Sequence, residues 1–144
     1  MTGERFRVRL ADWAADGRAL ARIRHAVFVV EQNVPAELEW DGIDEACRHA
    51  LAEDGEGTAI GCGRLLPDGH VGRMAVLAGW RGAGVGGEIL ETLVALARGL
   101  GHAEVVLNAQ VHALPFYAAH GFVARGPEFS EAGIAHRAMV RALR

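Results

Sequence analysis

A glycine-rich segment between a predicted strand and a predicted helix constrains this sequence more than any other stretch. The segment is Val71–Gly87, with the sequence VGRMAVLAGWRGAGVGG. Its first half carries apolar, β-compatible residues as far as Leu77, and its second half is too rich in glycine for a strand. Glu88–Leu100 then places apolar residues at helical spacing. A strand, a glycine turn and a helix N-terminus in this order form an anion site, because unpaired N–H groups and the helix dipole face the ligand.

Three phosphate-binding motifs place glycines in such a turn. A P-loop needs Lys-Ser or Lys-Thr after the glycines, and neither follows them here. A dinucleotide-binding GxGxxG motif is present as Gly82–Gly87, but it needs an acidic residue about 20 positions further on, where this sequence has Leu107 and Asn108. The third motif, Arg-x-x-Gly-x-Gly, spans residues 81–86 and follows the triplet Met74–Val76. A glycine turn that binds no ligand is the alternative to all three.

Length and composition predict one soluble globular domain over residues 1–144, with 51% hydrophobic and 23% charged residues. A net charge of −3 and scattered arginines do not support nucleic-acid binding. No apolar run approaches the ~20 residues of a membrane span, and the N-terminus lacks the apolar core of a secretory signal. Cys47 and Cys62 are too few for a disulfide framework and too isolated for a zinc site. We therefore expect a cytoplasmic protein with no bound metal.

The hydrophobic periodicity predicts an α/β chain. Strands are predicted at Arg5–Leu10, Cys47–Glu53, Thr58–Leu66, Val71–Leu77, Ala103–Ala109, Gly121–Arg125 and Ala135–Val140. Helices are predicted at Trp13–Val30, Ala36–Trp40, Glu88–Leu100 and Leu114–His120, the first capped by Asp12. Residues 41–44 are predicted to form a turn and residues 126–133 a loop. The strands that begin at Cys47, Thr58 and Val71 would form an antiparallel meander.

This order, β-α-α-β-β-β-α-β-α-β-β, resembles that of the GCN5-related N-acetyltransferases (GNAT). The pyrophosphate loop of that family reads R/Q-x-x-G-x-G/A after a triplet like L-A-V, and the family's F/L-Y-x-x-x-G-F motif resembles residues 116–122. Four further segments are similar to a bacterial subgroup, the ElaA-like acetyltransferases: Val27–Gln32, the spacing of Asp41, Asp44 and His49, Ala109-Gln110, and Phe129–His136. The resemblance covers nearly the whole chain. It implies a single N-acetyltransferase domain with a mixed, mostly antiparallel sheet.

The resemblance also implies that acetyl-CoA is the cofactor. The implied cofactor-binding residues are Met74, Ala75, Val76, Arg81, Gly82, Ala83, Gly84, Val85, Gly86, Gly87 and Gln110. Backbone N–H groups of the glycine turn would hold the coenzyme A pyrophosphate, and Arg81 would add charge there or else pair with a nearby acid. The triplet would bind the pantetheine arm where the sheet splays, and the Val76 N–H would point at the thioester oxygen. Gln110 stands where many relatives have an Asn that touches the arm.

Tyr117, the only tyrosine of the sequence, is the foremost catalytic candidate. In the family this tyrosine donates to the departing sulfur, and a phenol is a neutral donor at neutral pH. A packed aromatic that bonds to a carbonyl is the alternative. Glu31 and His112 are candidate bases for the acceptor amine. The alternative for Glu31 is a solvated acid at the helix end, and the alternative for His112 is a surface or capping histidine. Removal of the proton by water, without a protein base, is a further alternative.

The acceptor side of the site is predicted from acidic residues. Glu39, Asp41 and Asp44 would attract a cationic amine or would form a solvated turn. His49, within a strand pattern, is expected in the core. For Glu131 and His136 the subgroup resemblance suggests substrate contact, and charged loop residues are the alternative.

We expect direct acetyl transfer to a primary amine of a small molecule or peptide. An acyl-enzyme is disfavoured, because neither cysteine lies near the glycine turn in the sequence. A non-catalytic acyl-CoA-binding or regulatory module of the same fold is the alternative, since a fold does not determine a function. Relatives are often dimers, so a homodimer is one expectation for the assembly.

Overall fold

A seven-stranded sheet organises the fold in the computed structural model, which describes residues 5–143. The strands are β1 (Phe6–Ala11), β2 (Arg48–Asp54), β3 (Ala59–Leu65), β4 (His70–Val76), β5 (Glu104–Gln110), β6 (Val123–Glu131) and β7 (Ile134–Ala142). The α-helices are α1 (Trp13–Arg24), α2 (Ala36–Glu39), α3 (Val85–Gly99) and α4 (Leu114–Ala119). A π-helix, His25–Glu31, continues α1. The predicted order of elements and the predicted antiparallel meander are confirmed.

The sheet order is β1-β2-β3-β4-β5-β7-β6, and β4 with β5 is the parallel pair. These two strands pair only at His70 with Val106 and at Val71 with Leu107. Between β3 and β4 the register shifts, and Arg73 has a left-handed φ of 49°. Such a β-bulge bends its strand. The rest of β4 therefore runs apart from β5, and we call the space between residues 72–76 and 108–110 the slot.

Each face of the sheet carries its own apolar core. Helices α3 and α4 cover one face, where Ile89, Leu93, Leu107 and Ala109 are at most 2% exposed. Helix α1 covers the other face with Leu20 and Ile23, joined by Val27 of the π-helix, against Leu51, Cys62 and Ala75. Because side chains alternate along a strand, Gln110 lies on the α1 face while its neighbour Ala109 lies on the α3 face.

Two predicted helices differ from the observed ones. The helix predicted over Trp13–Val30 is α-helical only to Arg24, and it ends in π-helical bonding, in which the Gln32 N–H donates to the Val27 carbonyl at 3.0 Å. Helix α3 begins at Val85 rather than at Glu88. Gly86 and Gly87, the last glycines of the turn, thus belong to the first turn of the helix. The N–H groups of a first turn have no helical carbonyl to bond to, whichever residue stands there.

Two local predictions are wrong. The loop predicted over residues 126–133 is a strand as far as Glu131, because β6 continues to that residue and a register shift between Arg125 and Phe129 absorbs the extra residues. Only Ala132 and Gly133 form a turn. Tertiary pairing with β7 thus overrides the local glycine and proline signals. Asp12 makes no capping bond with its side chain, and instead the Asp16 carboxylate accepts the Asp12 N–H at 3.0 Å. No helix within residues 5–143 combines the length and the apolar character that crossing a bilayer requires.

Candidate active site

The glycine turn presents uncapped N–H groups at the start of α3. Gly82 and Gly84 have φ of +83° and +89°, which L side chains rarely adopt, and no side chain caps the helix. The first bond of the helix is the Glu88 N–H to the Gly84 carbonyl at 3.2 Å. The N–H groups of Val85 to Gly87 thus have no helical partner, although the Val85 side chain is 1% exposed and is part of the core. This end of the helix can bind an anion.

The edge of β4 adds one more directed donor. The Leu77 N–H donates to the Ile60 carbonyl of β3 at 2.9 Å. Since backbone groups alternate along an antiparallel strand, the Val76 N–H points the other way, into the slot. The backbone of Ala75 is directed toward β3, where its partner is Cys62, and Ala75 is 4% exposed. Within the predicted triplet, Val76 therefore offers its N–H to a ligand, whereas the backbone of Ala75 is directed into the sheet.

Arg81 and Glu31, predicted for different roles, bond to each other. Arg81 Nη2 donates to Glu31 Oε1 at 2.7 Å, and Arg81 Nε donates to the Val76 carbonyl at 3.0 Å. The hydrogen bond from Arg81 lowers the pKa of Glu31, whose side chain is 42% exposed. Glu31 is thus exposed rather than partly buried, and a lowered pKa makes it a weaker base. Its role as a base stays a prediction. For Arg81, the alternative of pairing with an acid is the one observed.

Gln32, which ends the segment Val27–Gln32 but was not predicted as a site residue, makes a second contact across the slot. Gln110 Nε2 donates to Gln32 Oε1 at 2.9 Å, and Gln32 Nε2 donates to Gln110 Oε1 at 3.4 Å. Consecutive residues at the end of the π-helix thus contact both sides of the slot: Glu31 the turn after β4, and Gln32 the end of β5. We call Glu31 and Gln32 the strap. Its signal in the sequence was the Glu-Gln pair after the apolar run 27–30.

Tyr117 lies on the α3 face of the sheet in α4. Its half-buried ring packs edge-on against Phe116 and Phe122, with ring centroids 4.9 Å and 6.0 Å away. Burial raises the pKa of the phenol to about 12. Among residues 5–143 its hydroxyl makes no hydrogen bond, so the predicted alternative of a bond to a carbonyl is not observed. A protonated phenol without a partner can donate to a ligand atom.

His112 is exposed in the short 3-10 helix Val111–Ala113, between β5 and α4. Its ring makes no hydrogen bond within the described part of the chain, so no contact there orients it toward the slot. Its role as a base stays a prediction.

On the α1 face, the strand ends bring Gln110, His136 and Phe129 into one row. His136 is 6% exposed. Its ring stacks on that of Phe129, with the two ring centroids 6.0 Å apart. Its Nδ1 lies 2.7 Å from the Ile134 carbonyl, which assigns the proton to Nδ1 and the lone pair to Nε2 in the neutral ring. Glu131 Oε2 is 3.8 Å from Nε2. This row can present hydrogen-bond acceptors to a cationic group.

The predicted acidic residues belong to a ring of charges. Arg24 binds Glu39 and Asp44 at 2.6 Å each, and Arg73 binds Glu39 at 3.1 Å. Arg64 binds Asp44 at 2.8 Å and also binds Asp41. A contact of 3.3 Å between Arg73 and Asp41 closes the ring. The ion pairs run in the order Arg24, Glu39, Arg73, Asp41, Arg64, Asp44 and back to Arg24.

The predicted acids are paired rather than free. Three carboxylates face three arginines, so they leave no excess negative charge for a cationic amine. The alternative of a solvated turn fits the exposed Asp41 but neither Glu39 nor Asp44, which are 9% and 2% exposed. His49, 2% exposed, stacks on Trp13 and bonds to the Asp44 carbonyl, as expected of a core histidine. The ring instead fixes α2 and residues 41–44 against the β4 bulge at Arg73.

A mixed sheet that opens between its two parallel strands, with an uncapped glycine turn at the opening, defines the acyl-CoA N-acyltransferase class of fold. The family described as "Acetyltransferase (GNAT) domain" matches residues 14–143. The chain belongs to this family and is an acyltransferase by that membership.

Individual relatives agree with this assignment. The chain is 43% identical over 123 residues to YjcF of Bacillus subtilis, described as an uncharacterized N-acetyltransferase, covering 83% of this chain and 87% of YjcF. A crystal structure of an acyl-CoA N-acyltransferase from Pseudomonas aeruginosa has a TM-score of 0.83 at 30% identity, covering 96% of this chain and 100% of that one. The structure of Escherichia coli ElaA has a TM-score of 0.82 at 29% identity, covering 95% and 99%. The predicted family and fold are confirmed.

Proposed function

We propose that this acyltransferase moves an acetyl group from acetyl-CoA to a primary amine of a small molecule or peptide. The observation that carries the proposal is the presence of two sets of backbone N–H donors, one at the end of β4 and one at the start of α3. The uncapped turn at Gly84 to Gly87 would hold the diphosphate, and the Val76 N–H would receive the thioester oxygen further along the slot. Membership of the family supports acyl transfer. Acetyl-CoA and the amine are what this proposal adds.

Each predicted cofactor residue has a specific part in this proposal. Gly82, Ala83 and Gly84 to Gly87 offer backbone to the diphosphate, and Val85 offers only its N–H because its side chain is buried. Met74 and Val76 border the pantetheine arm, while Ala75 supports the strand from the β3 side. Arg81 acts through its bond to the Val76 carbonyl. Gln110 borders the arm from β5.

In the proposed reaction the neutral amine attacks the thioester carbon, and the oxygen that becomes negative is stabilised by the Val76 N–H. The carbon–sulfur bond then breaks, and the Tyr117 hydroxyl donates a proton to the departing sulfur. The ammonium form of the acceptor first loses a proton to water, since the lowered pKa of Glu31 makes that carboxylate a poor base. The nitrogen, positive after the attack, releases its extra proton to water, and the Tyr117 phenolate takes a proton back from water. The acetyl amide and free coenzyme A are the products.

Direct transfer is supported by the state of both cysteines. Cys47 and Cys62 are buried and unpaired, and burial raises the pKa of Cys62 to about 12. A buried neutral thiol is a poor nucleophile, so an acetyl-cysteine intermediate has no candidate here. Two unpaired thiols also support our placement of the protein in the reducing cytoplasm.

The test is coenzyme A release from acetyl-CoA against a panel of primary amines, with the acetylated product identified by mass. We expect release that depends on one class of amine and is strongly slowed in Tyr117→Phe. Binding of coenzyme A by calorimetry without product for any amine would favour the non-catalytic module. Thermal protection by NAD and none by coenzyme A would favour the dinucleotide-binding alternative.

A further inference from the structure

We propose that the Gln32–Gln110 amide pair limits the length of the acyl group that the donor can carry. This inference rests on the proposed function, because it concerns the cofactor held in the slot. It assigns a specificity-determining role to the strap, whose two residues contact both sides of the slot.

The amide pair lies one residue from the level of the Val76 N–H. His70 pairs with Val106 across the slot, so with the extra residue of the β4 bulge Gln110 comes opposite the residue before Val76. Gln110 ends β5 and Val76 ends β4. A thioester oxygen at the Val76 N–H therefore places the acyl carbon between these two strand ends. By alternation the Gln110 side chain projects to the α1 face, where Gln32 meets it.

The opposite face of the sheet carries an aromatic group. There Tyr117 packs against Phe116 and Phe122, and this aromatic group adjoins the buried core under α3. A chain of four or more carbons would therefore extend toward the α1 face and meet the amide pair. Separating the pair would break both hydrogen bonds between these half-buried amides, which is unfavourable.

The strap is held in place at both ends. Glu31 is fixed by Arg81, which is itself bonded to the Val76 carbonyl, and Gln32 is fixed by its two bonds to Gln110. The backbone that follows is anchored by the Val34 N–H, which donates to the Phe28 carbonyl at 2.8 Å. A barrier fixed in this way discriminates by size, because it yields only by breaking these bonds.

The experiment measures calorimetric affinities for coenzyme A and for its acetyl, butyryl and hexanoyl thioesters, so no acceptor is needed. The variants are Gln32→Ala and the double variant Gln32→Ala/Gln110→Ala. The matched control is Asn108→Ala, an exposed residue on the same strand and the same face as Gln110. In the wild type we expect the hexanoyl thioester to bind at least about tenfold more weakly than the acetyl thioester. Gln32→Ala should reduce this ratio to about one with unchanged affinity for coenzyme A, and the control should keep the wild-type ratio. The double variant should show the same reduced ratio, whatever its affinity for coenzyme A, because Gln110 also borders the pantetheine arm.

Other outcomes overturn the inference. A wild type that binds all three thioesters equally shows no barrier to remove. An unchanged ratio in both Gln32 variants, or the same loss in Asn108→Ala, shows that the amide pair is not the barrier. Failure of wild-type protein to bind coenzyme A at all would instead overturn the proposed function. Gln32→Ala lies outside the sheet, so it tests the proposal even if the change at Gln110 disturbs β5.

Discussion

Arg24 and Asp44 bond to each other inside the fold, with Nη1 and Oδ1 2.6 Å apart and both side chains 2% exposed. They are the least exposed members of the charge ring that joins α1, α2, β3 and β4. Burying two charges is unfavourable unless each keeps its partners, so such a pair is sensitive to loss of one member. The ring thereby couples the stability of the domain to the position of the β4 bulge.

Arg24→Met should therefore lower the free energy of unfolding by about 3 to 5 kcal/mol, because Asp44 and Glu39 lose their shared cation. Urea denaturation measures this change. Arg7→Met is the control, since Arg7 is 74% exposed and binds Glu53 at 3.5 Å. The control should change the unfolding free energy by less than about 1 kcal/mol. Equal effects of the two substitutions would contradict the importance assigned to the ring.

Acid should weaken the same ring. Hydrogen bonds from Arg64 lower the pKa of Asp41 from 3.8 to about 2, and Arg24 helps to lower the pKa of Asp44 against its burial. A carboxyl whose pKa is lower in the folded state stabilises the fold above its unfolded pKa and loses that contribution as the pH falls through the folded pKa. The unfolding free energy should thus decline as the pH drops from about 4 toward 2.

The measurement is urea unfolding at several pH values for the wild type and Asp41→Asn. The variant should be less stable at neutral pH and should lose less stability on acidification. Glu56→Gln, on the exposed turn before β3, should keep the wild-type slope. Parallel pH curves for wild type and Asp41→Asn would show that Asp41 does not carry the acid dependence.

Gly63 of β3 is required by close packing against α3. A Cβ there would lie 2.6 Å from Met74 Sδ, 2.9 Å from Ile89 Cγ2 and 3.0 Å from Leu93 Cδ1. Gly63→Ala should therefore destabilise the fold by about 1 to 3 kcal/mol through overpacking. Gly72→Ala is the control, because its Cβ would meet nothing within 4 Å. A thermal melt that gives both variants the same midpoint would refute the packing argument.

The parts of the molecule that the sequence predicted depend on neighbours along the chain. The turn at Gly82 and Gly84 has the left-handed φ that glycine allows, and the helix after it follows its apolar period. Arg81 with Glu31 and Gln32 with Gln110 are 50 and 78 residues apart, so their pairing follows from the tertiary fold and from no local pattern. The charge ring was missed for the same reason. A run of acids was visible in the sequence, but its arginine partners come from α1, β3 and β4.

Gly84→Asp should abolish coenzyme A binding. At φ +89° an Asp side chain is strained, and its carboxylate would repel the diphosphate at the start of α3. Calorimetry with coenzyme A measures the loss. Gly99→Ala is the control, because this glycine ends the same helix and its Cβ would meet nothing within 4 Å. Unchanged affinity for coenzyme A in a folded Gly84→Asp protein would show that the diphosphate does not bind at this turn.

Tyr117→Phe should lower turnover by about 10- to 1,000-fold and leave the affinity for acetyl-CoA nearly unchanged, because only the proton donor to the sulfur is removed. Phe keeps the ring that packs against Phe116 and Phe122, so the fold should be retained. Because burial raises the pKa of this phenol to about 12, the wild type should show no loss of turnover from its ionisation between about pH 8 and about pH 10. Steady-state kinetics with a responsive amine, paired with calorimetry, separate the two effects. Near-normal turnover in the variant would exclude Tyr117 as the donor, and a loss confined to acetyl-CoA affinity would assign the residue to binding alone.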